Sequence, residues 1–206
     1  MVKEGYWYGL PLLCGALGSF ALRLWAPGCV FGLAAVFVLN FFRDPERTIP
    51  SDPGAIVSPA DGRVVQVVEE SIEDRAVRRI SIFMSPLDVH VNRAPVAGVI
   101  RSVTYKPGAF HIASRSQASV ENEQNLFVIE GISGTIWVKQ IAGALARRIV
   151  FWKRCGDRLE RGERVGLIKF GSRVDVMSDA KVDWQVKVGD RVKAGSTILG
   201  IAKPQS

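Results

Sequence analysis

In "VGLIKFGSRVDV", residues 165–176, Gly171 and Ser172 interrupt an apolar and then alternating run. A serine hydroxyl set against the carbonyl that precedes it can attack that carbonyl, exchanging an amide for an ester. Glycine removes the side chain that would crowd the attack and admits unusual backbone angles. β-Elimination of the ester leaves a dehydroalanine, which hydrolysis converts to a pyruvoyl group. The competing reading is a bulge, since glycine inside a strand often marks one. Gly-Ser recurs at Gly18–Ser19, inside an apolar stretch, and at Gly195–Ser196, inside a turn of a repeat. Both have structural explanations that Gly171–Ser172 lacks.

Three further segments carry groups able to do chemistry. "MSPLDVHVNRAP" (84–95) holds Asp88, His90, Asn92 and Arg93. Alternation with Leu87, Val89 and Val91 puts Asp88 and His90 on one face of a strand. That pattern suits a base with its orienting carboxylate, and equally a solvent-facing polar stripe. In "VSPADGRV" (57–64), Asp61 and Gly62 occupy ordinary turn positions. "VENEQNLFVIEG" (120–131) carries Asn122, Glu123 and Asn125 into a strand or across a polar hairpin end.

These groups need a scaffold, and past Pro53 the sequence supplies short alternating strands. "GRVVQVVEE", "RRISIFMS", "GVIRSVTYKPG", "NLFVIEG", "GTIWVKQIAG", "RVGLIKFGSRVDVM", "KVDWQVKVGDRV" and "TILGIAK" fit a period of two, with Gly and Pro between them. One helix is expected near 139–151. "GDRLERGERVGLI" (156–168) and "GDRVKAGSTILGI" (189–201) echo each other. The echo resembles the turn of lipoyl- and biotinyl-type folds. The expected architecture is mainly β, a barrel-sandwich-hybrid-like duplicated domain about a pseudo-two-fold, with few helices.

From Tyr6 to Phe42 the only charge is Arg23, with Pro27 and Gly28 close behind. This predicts an apolar helical hairpin over 1–42, spanning a bilayer or re-entrant, with Tyr6, Trp7, Tyr8 and Trp25 as interfacial anchors. A second apolar run directly after the first argues against a cleaved signal peptide. "FFRDPERTIPSDPG" (41–54) reads as linker, leaving a body of 43–206. The net charge of +7 fits nucleic acid or anionic lipid. The group Arg147, Arg148, Lys153 and Arg154 is interleaved with Ile149, Val150, Phe151 and Trp152, which suits a membrane surface and not nucleic acid. The basic body favours the cytoplasmic side. Three cysteines, two of them in the apolar terminus, make neither a disulfide framework nor a metal knuckle, and two histidines exclude a His-rich metal site.

"SPADG", "SPLDVHVNRAP", "NEQN" and "KFGSRVD", in that order behind an apolar hairpin and "FFRDPER", resemble the short-form phosphatidylserine decarboxylase proenzymes, archaetidylserine relatives included. "VKQIAGALARRIV" resembles the same family, and the match runs from about Phe41 to Asp175. The resemblance implies a self-cleaving enzyme cut between Gly171 and Ser172 into a β chain, 1–171, and an α chain, 172–206, held as a heterodimer or a higher oligomer. Ser172 would become the pyruvoyl group, the covalent cofactor, with no metal. The substrate would be phosphatidylserine and the product phosphatidylethanolamine. Asp61 would position or activate the serine, and His90, with Asp88 beside it, would be the acid–base group. His111 would lie in the substrate pocket, and Arg147, Arg148 or Lys153 would meet the phosphodiester, or snorkel onto anionic lipid. Arg93 departs from the pattern, because longer relatives carry a second histidine there.

Two other classes compete. A membrane-anchored adaptor or carrier suits the echo and the hairpin, but no M-K-M or D-K-A stretch offers a modifiable lysine. A metallopeptidase lacks an HxH or HExxH motif.

Overall fold

The structure, a computed structural model, describes residues 1–72, 74–108, 122–132, 134–143, 148–169, 172–179 and 181–203. It divides into two compact units, 1–46 and 47–206.

The first unit is a hairpin of α1 (Lys3–Ala21) and α2 (Trp25–Phe41), turned through Arg23 at φ 60°. Small residues let the helices approach. A Cβ on Gly9 would lie 2.6 Å from Leu39, and one on Gly28 would lie 2.5 Å from the Phe20 ring. The outward faces expose Trp7, Leu17, Trp25, Leu33 and Val36. Among the described residues, no helix is long and apolar enough to cross a membrane.

The second unit is mainly β, as expected. In chain order its strands are β1 (Ala55–Val57), β2 (Gly62–Ile72), β3 (Arg75–Met84), β4 (Val91–Arg93), β5 (Gly98–Lys106), β6 (Gln124–Gly131), β7 (Gly134–Ala142), β8 (Ile149–Phe151), β9 (Arg158–Leu159), β10 (Arg164–Ile168), β11 (Ser172–Ser178), β12 (Val182–Trp184), β13 (Arg191–Val192) and β14 (Ile198–Ala202). An eight-stranded sheet runs β13-β2-β3-β11-β7-β6-β5-β9, and two three-stranded sheets run β1-β14-β12 and β4-β10-β8. The order is that of a duplication. The half β4–β10 is inserted between β3 and β11 of the other half, and β11 and β7 meet at the middle of the large sheet.

The echo repeat is the hinge of that symmetry. Gly156 and Gly162 sit at φ +92° and +79°, and Gly189 and Gly195 at +99° and +74°, where only glycine is unstrained. The Ile100 amide donates to the Asp157 carbonyl and receives Gly156 in return, while Val64 does the same with Asp190 and Gly189. Gly162 donates to the Ala94 carbonyl as Gly195 donates to that of Ser58. The core lies between the sheets, around Ile80, Ile82, Phe127, Ile136, Val174 and Val176.

Two local expectations fail. No helix forms over the described part of 139–151. Residues up to Ala142 belong to β7, and Ile149–Phe151 is β8. The Ala, Leu and Arg content favours a helix only weakly, and full-length pairing of β7 with β6 and β11 overrides it. Asp88 and His90 are not in a strand either. Ser85–Asp88 turns, and β4 begins only at Val91.

Candidate functional site

The ends of four strands form a row. Ser172, the first residue of β11, pairs with Met84 at the end of β3 and with Ala142 at the end of β7. Arg63 pairs with Phe83, so in antiparallel register Gly62 lies level with Met84. Gly62 is there for close packing, since a Cβ would come within 2.1 Å of the Phe83 carbonyl oxygen. On the other side, Gln124 pairs with Ile141, and Ala142 donates its amide to the Glu123 carbonyl. The Asn122 amide donates to the Ala142 carbonyl at 2.6 Å. "PADG", "FMSP" and "NEQN" therefore converge on the row that holds Ser172.

Ser172 is fully buried, and its hydroxyl donates to the Met84 sulfur at 3.4 Å. β10 belongs to one sheet and β11 to another, so the chain changes sheets between Ile168 and Ser172. The glycine–serine break in the strand pattern falls at that change and is not a bulge within one strand. Gly171 itself, with His111 and Arg147, lies outside the described residues.

His90 is buried beside this crossing. Its backbone carbonyl receives the amide of Ile168, the last residue of β10. Its Nδ1 lies 2.9 Å from the carbonyl oxygen of Asp88. The Asp88 carboxylate turns away, accepting from the Ser85 amide at 2.8 Å and facing Arg191 at 3.9 Å. Asp88 thus shapes the loop and meets the imidazole through its backbone, not its side chain. Asp61 accepts two bonds from Arg47 Nη2, at 3.0 and 2.8 Å, and one from the Ala194 amide at 2.8 Å. These bonds tie Asp61 to Arg47 and Ala194, while Gly62 next to it is in the row. Arg93 donates to the Gly162 carbonyl at 3.0 Å, which braces the turn before β10 within the β4–β10 half.

Behind Ala142, Glu123 is buried and accepts from the Ile149 amide. Desolvation, the hydrogen bond to Glu123 and the charge of that carboxylate push the Tyr105 phenol above its usual range, and Arg148 opposes the shift. Arg148 is exposed. Lys153 is engaged differently, in an ion pair with Glu163. Burial alone would raise the Glu163 carboxyl, but hydrogen bonds from Lys153 and the Glu160 amide hold it below its ordinary value. A carboxyl lowered in the folded state stabilises the protein above its unfolded value, and that stabilisation is lost as pH falls through the folded one. Glu163→Gln should therefore cost under about 1 kcal/mol near neutrality and nothing in acid. Thermal unfolding of both proteins over about pH 3–7 checks this, and a cost that persists unchanged in acid would refute it.

Sequence reasoning missed Met84 and Gln140. Met84 reads as one more apolar residue ending a strand. Gln140 carried a usable signal, a polar side chain at an inward position of an apolar run, and it is fully buried.

Comparison with known proteins gives the family. The family model described as phosphatidylserine decarboxylase matches residues 34–200. A phosphatidylserine decarboxylase proenzyme of Solibacter usitatus is 49% identical over 203 residues, covering 97% of this chain and 95% of that one. One from Salinibacter ruber is 51% identical over 185 residues, covering 86% and 80%. One from Desulfotalea psychrophila is 49% identical over 177 residues, covering 83% and 82%. With most of its length matched and the family's segments gathered around one buried serine, the chain belongs to the phosphatidylserine decarboxylase family of enzymes.

Proposed function

We propose that the chain converts phosphatidylserine to phosphatidylethanolamine at a membrane surface, using a pyruvoyl group made from its own Ser172 by cleavage after Gly171. The observation that carries this reading is the place of Ser172, buried between Met84 and Ala142 where the chain passes from one sheet to another. A cut there removes no strand. Residues 172–206 would stay bound, because β11 is paired on both sides, β13 with β2 and β14 with β1. The two products then form an interleaved heterodimer.

The surroundings suit a pyruvoyl group. Ala142 is small, Met84 is soft, and Ser172 is fully buried. Such a group supplies the electron sink for the pair released when carbon dioxide leaves an amino acid. His90, held through Nδ1 by the Asp88 carbonyl, is the acid–base group beside the chain crossing. Asp61, tied to Arg47 and Ala194, fixes the "PADG" turn against β3 and so positions the serine. Arg148 meets the lipid phosphodiester, and Arg147 and His111 are assigned to the same substrate. The hairpin, apolar all round, holds the body at the bilayer as a re-entrant element, with the body on the cytoplasmic side.

Intact mass of the protein purified in a membrane mimetic tests the reading. The expected result is two chains, the smaller covering residues 172–206 and carrying a pyruvoyl in place of its amino-terminal serine. A single uncut chain that decarboxylates phosphatidylserine would overturn it.

A further inference from the structure

A line of buried side chains runs across the sheets and ends on the Ser172 hydroxyl. Asn125 Nδ2 on β6 donates to Gln140 Oε1 on β7 at 2.9 Å. Gln140 Nε2 donates to Asn92 Oδ1 on β4 at 2.8 Å. Asn92 Nδ2 donates to the Met84 sulfur at 3.7 Å, the same atom that receives the Ser172 hydroxyl at 3.4 Å. All four polar side chains are buried. The line has a direction. Because Gln140 donates to the Asn92 oxygen, the Asn92 amino group must face the sulfur.

We propose that Asn125, Gln140, Asn92 and Met84 are a positioning relay for the self-cleavage of Ser172, and that its thioether end lets one site hold a hydroxyl before cleavage and a methyl after it. This rests on the reading that Ser172 becomes the pyruvoyl group. A thioether is a weak acceptor. It sets the direction of the Ser172 hydroxyl without binding its proton tightly, so the oxygen is aimed yet able to attack. The Asn92 amino group shares the sulfur and keeps the amide oxygen, a strong acceptor, away from the serine.

The balance of the reaction explains why the acceptor is soft. Oγ forms an ester to the acyl carbon of residue 171 as the peptide bond breaks. In the elimination the Cα proton goes to a base, and Oγ leaves with residue 171 as a carboxylate. Cβ then gains a proton and becomes a methyl, while water replaces the nitrogen, which departs as ammonia. A carbonyl or carboxylate in the place of the sulfur would lose its serine donor and keep only the Asn92 amino group, whereas a thioether, a weak acceptor, loses little when the hydroxyl goes.

Gln140→Glu tests the direction of the relay in the full chain. The ionised carboxylate still accepts from Asn125 but cannot donate to Asn92, so the Asn92 amide turns its oxygen to the sulfur. Burial raises the introduced carboxyl, and once protonated it donates as the amide did. Processing, followed by mass as a ratio to the unaltered chain at each pH, should fall about tenfold near pH 8 and recover towards pH 6. The ionisable neighbours are Lys139 on β7, Asp175 paired with it, Glu123 beside Ala142, and His90 near Asn92. Taking the ratio removes their titration. Met84→Leu keeps the volume, loses the acceptor, and should slow processing about tenfold at every pH. A Gln140→Glu ratio near one, or reduced but flat with pH, overturns the relay, as does Met84→Leu processing at the unaltered rate. Cleavage at the same bond in Ser172→Ala would instead overturn the reading on which the relay rests.

Discussion

Ser172→Ala is expected to leave one uncut chain with no decarboxylase activity. The substitution removes one oxygen from a fully buried position beside the Met84 sulfur, so folding should hardly change. What disappears is the attacking group, and with it the source of the electron sink. Nothing else buried in the row can replace it, since Gly62, Met84 and Ala142 carry no nucleophile that forms a carbonyl. The loss should reach background, at least about a thousandfold. Hydroxylamine added to the unaltered chain before it matures separates the proposed route from hydrolysis by a contaminating protease. It should intercept the ester, leaving a hydroxamate on residues 1–171 and a serine at the start of 172–206. A Ser172→Ala protein that is still cut, or a trap that yields no hydroxamate, would place the cleavage outside this chain's own chemistry.

Much of this site was legible because its residues obey local rules. The apolar hairpin, the strand periodicity and the echo with its left-handed glycines each depend on a few neighbours in sequence. The Gly171–Ser172 interruption was also readable as a break, and the sheets change there. What sequence alone could not supply was the partner of each polar residue. Asp88 and His90 alternate like strand residues, yet Pro86 and the Ser85–Asp88 turn reroute them, so the imidazole meets a carbonyl instead of the carboxylate. Residues 139–142 look helical until β6 and β11 are placed on either side of them, and 149–151 until β10 is placed beside them. Gln140 and Met84 matter through contacts that reach 48 and 88 positions away. "SRVDV" reads as a half-exposed strand, but all of β11 is buried, including its two charges.

Those two charges set up the second large effect. Arg173 and Asp175 are each 1% exposed, with Nε to Oδ1 at 2.9 Å and Nη2 to Oδ2 at 3.0 Å. Arg79 on β3 approaches the same carboxylate at 3.4 Å and also bonds Ser81 and Glu70. Asp175→Ala takes the carboxylate from between two guanidinium groups, and breaking a buried pair from one side costs about 3–5 kcal/mol. Against a total stability of roughly 5–15 kcal/mol, that is a melting-point drop of roughly 10 °C. Replacing both members by apolar groups of similar size, Arg173→Met with Asp175→Leu, should cost much less, because Arg79, the charge that remains, keeps its pair with Glu70. Both are best measured in the Ser172→Ala chain, where unfolding is not mixed with cleavage. Equal losses in the single and double variants would mean that packing, not charge pairing, accounts for the cost. The contact between Asp175 and Arg79 also bears on chemistry, because it crosses from β11 to β3 and so helps to hold the register of the strand that begins with Ser172. A slip of β11 by one residue would turn every side chain to the opposite face and carry the hydroxyl away from Met84. The contact of Asp175 with Arg79 across to β3 is thus expected to fix position more than to add stability, and in a chain that keeps Ser172 the double variant should fold yet process slowly.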